Sequence, residues 1–301
     1  MQSATYYPDE GLKIEERDIP SPKDKEVLVK VQACGICMTD IYIINGEFEL
    51  EEPVVLGHEF TGIIEDTGKN ANDHTKGDKV VVNPTVTCRN CKHCDQGNTN
   101  LCKDAVSIGG AADQIRNGGF QDYTTVPEAN VGKLNSDVPL IQGSLTEPLA
   151  CAIHAIEKAQ VGMGDDVLLL GTGPTGLLLL QLIIRQGAAN ILVSEPKAER
   201  RRLADSLGAT LTIDPTEQGV VTKAKSLNKL KEGVDLAIEA IGKTQTVNKA
   251  IESVTKGGEI LIFGVPPKGA EIPLNIFKAY YRELNIQGSY ALTRKSFTKA
   301  L

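Results

Sequence analysis

The sequence predicts an α/β protein of two domains: a largely antiparallel β domain, then a doubly wound parallel sheet. Three observations carry this expectation. The chain has 301 residues, more than one hydrophobic core comfortably serves when domains run to about 100–200 residues. Its first half carries short β-rich runs punctuated by Gly, Pro and Asn. Its second half alternates strand-like apolar runs with helical stretches.

In the first half, from about Glu26 to Pro127, the runs Val27–Val31, Gly62–Glu65 and Lys79–Val82 are short, rich in β-branched residues and bounded by turn formers. In the second half, strands are expected at Val167–Leu170, Ile191–Ser194, Leu211–Ile213, Asp235–Ile238, Ile260–Phe263 and Asn285–Gln287. Helices are expected between them, notably Gly176–Gln186, Pro196–Leu207 and Thr246–Thr255, with Gly187 and Gly208 placed as left-handed caps. Six strands interleaved with helices match the six-stranded sheet that binds dinucleotides. No internal repeat or low-complexity tail interrupts the pattern.

Composition narrows the function classes. The net charge of −7 comes without a dominant Lys/Arg cluster, and Trp is absent with aromatics at 4%. No nucleic-acid partner is therefore expected. Val167–Ile184 is mostly Leu and Ile, but Gly171, Gly173, Pro174 and Gly176 break its centre, and a spanning helix needs about 20 apolar residues. No membrane association is expected. Met1–Gly11 is polar, carries Asp9 and Glu10, and lacks the basic start and apolar core of a signal peptide. A cytoplasmic, reducing location follows, in which the seven cysteines point to metal before disulfides.

Gly171-Thr172-Gly173-Pro174-Thr175-Gly176 is a G-x-G-x-x-G turn that follows a strand and opens a helix. Gly171 permits the tight turn, Gly173 lets backbone approach a pyrophosphate, and Gly176 lets the helix pack on the strand. The helix start favours anionic phosphate. Roughly 20 residues on, where a ribose contact is expected, stands Glu195. Its carboxylate can accept from a ribose diol and would repel a 2′-phosphate, so NAD is favoured over NADP. Lys197 and Arg200 lie close enough to blur that preference. A glycine turn without a dinucleotide is the bland alternative.

Cys88, Cys91, Cys94 and Cys102 read C-x2-C-x2-C-x7-C. Four thiolates so close can close tetrahedrally on Zn²⁺ and leave no position open for substrate, which makes the site structural. The surrounding sequence is polar, so zinc binding worth about 10 kcal/mol would supply stability that this lobe's own core cannot. An iron–sulfur cluster is the competitor. His93 could replace a thiolate, but reads as an exposed loop residue.

Cys37 in Gly35-Ile36-Cys37-Met38-Thr39-Asp40, and His58 and Glu59 in Leu56-Gly57-His58-Glu59-Phe60, supply a thiolate, an imidazole and a carboxylate. Glu147 and Cys151 in Glu147-Pro148-Leu149-Ala150-Cys151 add a carboxylate and a thiol. A mixed Cys/His/Glu set with one open position is what a catalytic zinc needs, although a buried Cys and a satisfied His explain the isolated residues equally well.

With those motifs, and with Gly77-Asp78-Lys79-Val80 and Gly119-Phe120 in the same order, the chain resembles the zinc-containing medium-chain dehydrogenases of the alcohol dehydrogenase superfamily. Within them it looks most like the sorbitol, butanediol and arabinitol dehydrogenases. The resemblance covers nearly the whole chain. It implies a GroES-like catalytic domain (1–149), a Rossmann domain (150–288) and, at 289–301, the start of a truncated segment returning to the catalytic domain. It implies an active site in the interdomain cleft, with Cys37 and His58 on a catalytic zinc and Glu59 as ligand or close partner. Glu147 completes the set as in polyol dehydrogenases, with Cys151 as the alternative ligand. Thr39 takes the proton, since Tyr42 stands where many relatives carry a relay His. Lewis acidity at the metal, and a hydride acceptor held by the glycine motif, would convert a secondary alcohol, a polyol or diol, to a ketone. Cys34 lies outside the motifs and reads as an ordinary buried thiol. A homodimer or homotetramer is the family habit. Threonine or sugar dehydrogenation, and a catalytically silent zinc- and nucleotide-binding fragment, are the alternatives.

Overall fold

The computed structural model describes residues 1–112, 114–227 and 232–301. The chain divides into two compact units, one of Met1–Cys151 with Leu292–Leu301, the other of Ala152–Ala291.

The strands of the first unit are β1 (Gln2–Tyr7), β2 (Gly11–Glu16), β3 (Glu26–Gly35), β4 (Val54–Val55), β5 (Glu59–Thr67), β6 (Lys79–Val82), β7 (Thr85–Val86), β8 (Val106–Ile108), β9 (Gln114–Arg116), β10 (Tyr123–Pro127) and β11 (Val131–Lys133). Helices α1 (Met38–Ile44), α2 (Lys92–Asp95) and α3 (Leu140–Gly143) are short, and α4 (Thr146–Ala159) starts in this unit. The five-stranded sheet β10-β3-β5-β6-β11 is antiparallel throughout. Two three-stranded sheets, β2-β1-β4 and β7-β8-β9, accompany it, and only the β8–β9 pair among them is parallel. Inward residues Val27, Val29, Phe60, Ile64, Val80 and Val82 form its largest core. The β-rich runs read from sequence lie inside β3, β5 and β6. The β1–β2 hairpin was not expected, because its outward face is polar and Ile14 is largely exposed.

The second unit holds β12 (Asp166–Leu170), β13 (Asn190–Ser194), β14 (Leu211–Ile213), β15 (Val234–Glu239), β16 (Val254–Ile262) and β17 (Asn285–Gly288). Its helices are α5 (Pro174–Gln186), α6 (Ala198–Leu207), α7 (Val220–Lys225), α8 (Thr244–Ser253) and α9 (Ile276–Tyr281), and α10 (Arg294–Ala300) follows in the first unit. All six strands are parallel, in the order β14-β13-β12-β15-β16-β17. The order reverses at β12, the switch point at which doubly wound sheets bind ligands. Every residue of β12 is buried. Val167 and Leu169 join one core and Leu168 and Leu170 the other, so the strand is covered on both faces, as its unbroken apolar run requires.

Gly187 and Gly208 cap α5 and α6 with φ of +91° and +108°. Several boundaries moved: the strand expected at Ile260–Phe263 runs over Val254–Ile262, α5 starts at Pro174 and not Gly176, α8 starts at Thr244 and not Thr246, and β15 extends one residue at each end. The α8 helix ends at Ser253 and not Thr255, because Val254 already pairs with Val234 on β15. The α6 helix begins at Ala198, with Lys197 as its cap and Pro196 outside. Among the described residues no helix is long and apolar enough to cross a membrane.

Candidate active site

Strand pairing in the first unit builds one site. In the β3–β5 ladder Gly35 faces Glu59. Cys37 follows β3 by two residues and caps α1, while His58 directly precedes β5. Register alone therefore carries Cys37 to His58 and Glu59, and their ligand atoms all lie within 4.8 Å of one another. A Cβ at Gly35 would crowd the Glu59 carboxylate, so glycine leaves room for this approach. Thr39 Oγ1 lies 3.6 Å from Cys37 Sγ. Glu147 and Cys151 occupy successive turns of one face of α4, and the Cys151 thiol donates to Glu147 Oε1 at 3.3 Å. Neither belongs to the group of three, although the Glu147 carboxylate is close enough to help raise the pKa of His58.

The electrostatics of this pocket are lopsided. Burial works against a charged imidazole, yet hydrogen bonds with Asp40 and Cys37 and the nearby Glu147 outweigh it and raise His58 well above its usual value. Burial pushes Glu147 up to about 7, with His58 opposing and Glu59 reinforcing the rise, and it also raises Glu59. Three carboxyl groups and a sulfur thus crowd one imidazole. Buried charges of one sign are normally paired or coordinate a metal, and a divalent cation would invert this local balance. A soft sulfur, an imidazole nitrogen and carboxylate oxygens form a donor set that zinc accepts.

Asp40, to which the sequence analysis gives no role, is part of this cluster. It has no exposed surface. Its Oδ2 accepts from Cys37 N at 2.8 Å, and its Oδ1 accepts from Gly57 N at 3.4 Å and stands 3.6 Å from His58 Nδ1. The Gly109 carbonyl is also 3.4 Å from that nitrogen. Such partners hold a ligating histidine in one orientation. The available signal was spacing: an acid three residues after the cap of α1 completes a capping box. Gly57, at φ +91°, makes the turn that delivers His58, and a Cβ there would stand 2.6 Å from the Phe120 ring.

Cys88, Cys91, Cys94 and Cys102 form the other cluster, with ligand atoms within 4.8 Å. Cys88 and Cys102 sulfurs are 3.4 Å apart, and all seven cysteines are free thiols. Backbone N–H donors from Cys94 and Lys103 bring Cys91 down to about 6, which favours the thiolate that a metal binds. His93 lies in α2 and is half-buried, not an exposed loop residue, because the helical turn that carries Cys94 inward carries it too.

The second unit carries the glycine turn at the C-terminal end of β12. Gly171 has φ +92°, and a Cβ there would meet Ile241 Cγ1 at 2.6 Å. A Cβ on Gly173 would meet nothing but the Arg200 guanidinium, at 3.9 Å, so its backbone is open to a ligand. A Cβ on Gly176 would strike the Gly171 carbonyl. Pro174 and Thr175 form the first turn of α5. Glu195 is buried just beyond β13. It accepts from Thr172 N at 3.0 Å, Thr172 Oγ1 at 3.3 Å and Lys197 N at 3.0 Å, with Arg200 Nη1 at 3.9 Å. An open glycine cradle and a fixed carboxylate at a switch point fit a dinucleotide.

Soft metal donors in one unit and a glycine turn with a buried carboxylate at a switch point in the other are the parts of a metal-dependent oxidoreductase that exchanges hydride with a nicotinamide. Comparison with known proteins agrees. Residues 23–136 match the alcohol dehydrogenase GroES-like domain and residues 174–301 the zinc-binding dehydrogenase domain. The chain is 34% identical to an L-threonine 3-dehydrogenase of Caldanaerobacter subterraneus over 94% of its own length and 80% of the relative's. It is 32% identical to a sorbitol dehydrogenase of Bacillus subtilis, over 96% and 82%. A zinc-binding dehydrogenase of Sinorhizobium meliloti, solved bound to NADP, superposes with a TM-score of 0.93 at 34% identity, over 99% of this chain and 86% of that one. The chain belongs to the zinc-containing medium-chain dehydrogenases, and is a nicotinamide-dependent enzyme that oxidises secondary alcohols.

Proposed function

We propose that the protein oxidises a polyol or diol at a secondary carbinol, giving a ketone and passing the hydride to NAD. The observation that carries this reading is the convergence of Cys37, His58 and Glu59 within 4.8 Å, beside a buried Glu147. Cys37 and His58 would hold a catalytic zinc, with Glu59 and Glu147 completing its surroundings directly or through water. Cys151 is the weaker candidate because its thiol is already engaged with Glu147. Cys88, Cys91, Cys94 and Cys102 would hold a structural zinc. Zinc in the first site supplies Lewis acidity that lowers the pKa of an alcohol hydroxyl. Thr39 would accept that proton and pass it to solvent, and Asp40 would keep the imidazole aimed. Glu195 accepts from the adenosine ribose, which favours NAD over NADP, and Arg200 flanks Gly173 where a pyrophosphate would lie. With limits at 1–149, 150–288 and 289–301, metal chemistry falls to the first domain and cofactor binding to the second.

The similarity to a threonine dehydrogenase supports an amino-alcohol substrate as the second reading. A panel of sorbitol, arabinitol, butanediol and threonine, each with NAD and NADP, decides between them by the absorbance of the reduced nicotinamide. Turnover of the polyols or butanediol with NAD is expected. Turnover of threonine alone would replace the polyol reading, and none on zinc-loaded protein would sink it.

A homodimer or homotetramer in the cytoplasm completes the proposal. The seven free thiols suit a reducing compartment. Ile276, Phe277, Tyr280 and Tyr281 on α9 are exposed, and β17 is an edge strand that a second copy could pair with about a twofold axis.

A further inference from the structure

β15 lies on the flank of β12 opposite β13 and ends in Glu239, whose side chain is wholly buried. A buried carboxylate is costly unless its oxygens are bonded. Here the chain that follows bonds them. Oε1 accepts from Ile241 N at 3.0 Å, Gly242 N at 2.9 Å and Thr246 Oγ1 at 2.6 Å, and Oε2 accepts from Gly242 N at 3.1 Å. The Glu239 carbonyl accepts from Phe263 N and Gly264 N, both at 2.8 Å. One residue therefore ties the loop 240–243, the first turn of α8 and the chain after β16. Ala240 N donates to Leu170 O at 2.9 Å, and Ile241 closes against Gly171 with no room for a Cβ between them. The loop that Glu239 holds therefore packs against the glycine turn at the switch point of the sheet.

A doubly wound sheet carries one mononucleotide on each half, with the dinucleotide crossing at the switch point. Glu195, beyond β13, marks the adenosine half. The half built from β15, β16 and β17 is left for the nicotinamide mononucleotide. Glu195 and Glu239 are counterparts: each is buried at the end of a strand flanking β12, and each accepts backbone N–H groups of the loop beside it.

We infer that Glu239 is a positioning residue for the cofactor: it fixes the loop 240–243 as the wall against which the nicotinamide half is held. The inference rests on the assignment of Glu195 to the adenosine ribose, and the experiment separates the two. Glu239→Gln replaces one oxygen with an amide donor that faces the N–H groups of Ile241 or Gly242. In zinc-loaded protein, Kd for NADH is expected to rise about tenfold, the loss of one charge-assisted bond. Kd for ADP, which lacks the nicotinamide half, should stay within about twofold. Thr246→Val removes one donor, leaves the carboxylate intact, and should move NADH selectively by a smaller factor. It carries the test if Glu239→Gln fails to show a cooperative thermal transition. A purely structural role would weaken both ligands together, so equal losses, or unchanged NADH binding, overturn the inference. Glu195→Ala, measured alongside, should weaken ADP. If it does not, the assignment of the halves is what fails.

Discussion

Asp40→Asn isolates the carboxylate beside His58, the proposed zinc ligand. The substitution keeps shape and volume but turns one carboxylate oxygen into an amide donor. The remaining oxygen can keep the 2.8 Å bond from Cys37 N, because that bond shapes the start of α1. The amide then faces Gly57 N, at 3.4 Å from Oδ1, and His58 Nδ1, at 3.6 Å. Gly57 N can only donate, so that contact becomes repulsive. A His58 that presents Nε2 to a metal has a proton on Nδ1, so the second contact becomes repulsive as well. Losing a buried charge-assisted contact costs about 1.5–3 kcal/mol, which corresponds to roughly 10–100-fold in metal affinity, the usual range for an outer partner of a ligating histidine. Cobalt substitution reads the two sites separately, since four-thiolate and mixed-donor cobalt absorb differently. Competition with a chelator should strip the mixed-donor site of Asp40→Asn at about 10–100-fold lower concentration than in the parent. The four-cysteine site, whose ligands Asp40 does not touch, serves as the internal control. Unchanged affinity at the mixed-donor site would refute the orienting role, and equal loss at both sites would show that the substitution damages the fold instead.

Three further outcomes are expected. Glu195→Ala should weaken NAD about tenfold and narrow the gap to NADP; an unchanged ratio of the two dissociation constants would refute the ribose role. Cys91→Ser should lower bound zinc by about one equivalent and make residues 88–102 sensitive to limited proteolysis, while the Cys37 site keeps its metal; loss of both zincs would contradict the independence of the lobe. Glu26 pairs with Arg116 and accepts from Lys23 N at 3.1 Å. Burial opposes its ionisation, but those two partners outweigh it and hold its pKa below the ordinary 4.5. Because the folded value is the depressed one, the pair stabilises fully above pH 4.5 and its contribution fades as pH falls through the folded pKa. Unfolding free energies of the parent and Glu26→Gln from urea titration should differ by about 1 kcal/mol near neutrality, after discounting for solvent screening, and converge in acid; a gap that persists in acid would exclude the ion pair as its source.

Much of the fold was legible because its signals are local. The run Val167–Leu170 is apolar at every position since β12 is covered on both faces. Gly187 and Gly208 stand where helices must end. The glycine motif and the four cysteines are contiguous enough for spacing to imply proximity. Helix α4 is not legible in the sequence; Pro148 in its first turn and the apolar stretch after it do not separate a helix from a buried strand. The β1–β2 hairpin was missed because its partners in the ladder, such as Ala4 and Ile14, alternate too weakly between polar and apolar. The contacts of Asp40 and Glu239 were legible only in part: the spacing of Asp40 from Cys37 signals a capping box, but nothing local shows that Asp40 also reaches Gly57 and His58, or what Glu239 bonds. Both are acids in sequences that could equally be surface turns. What makes them important is that the chain around them is buried and turns its N–H groups inward, which only the tertiary structure decides.

The same logic explains why two residues 21 positions apart, Cys37 and His58, need no long-range coincidence to meet. The β3–β5 ladder has period two within each stretch between its irregularities at Leu28/Val29 and Val31/Ala33, so within a stretch a slip of one residue would turn every side chain of one strand to the other face. Val27, Val29, Phe60 and Ile64 all sit in one core with no exposed surface, and burying each is worth about 1.5–3 kcal/mol. Slippage would expose them, so the core fixes the register. Register then fixes Gly35 opposite Glu59, and through it the distance from Cys37 to His58. Unpaired charge opposes this arrangement, since Asp40, Glu59 and Glu147 are all buried or half-buried around one imidazole. The hydrophobic ladder can hold such a cluster together before any cation arrives. A site preorganised in this way would take up a metal without first having to fold around it, whereas the four-cysteine lobe, with its polar sequence, would draw more of its order from the ion.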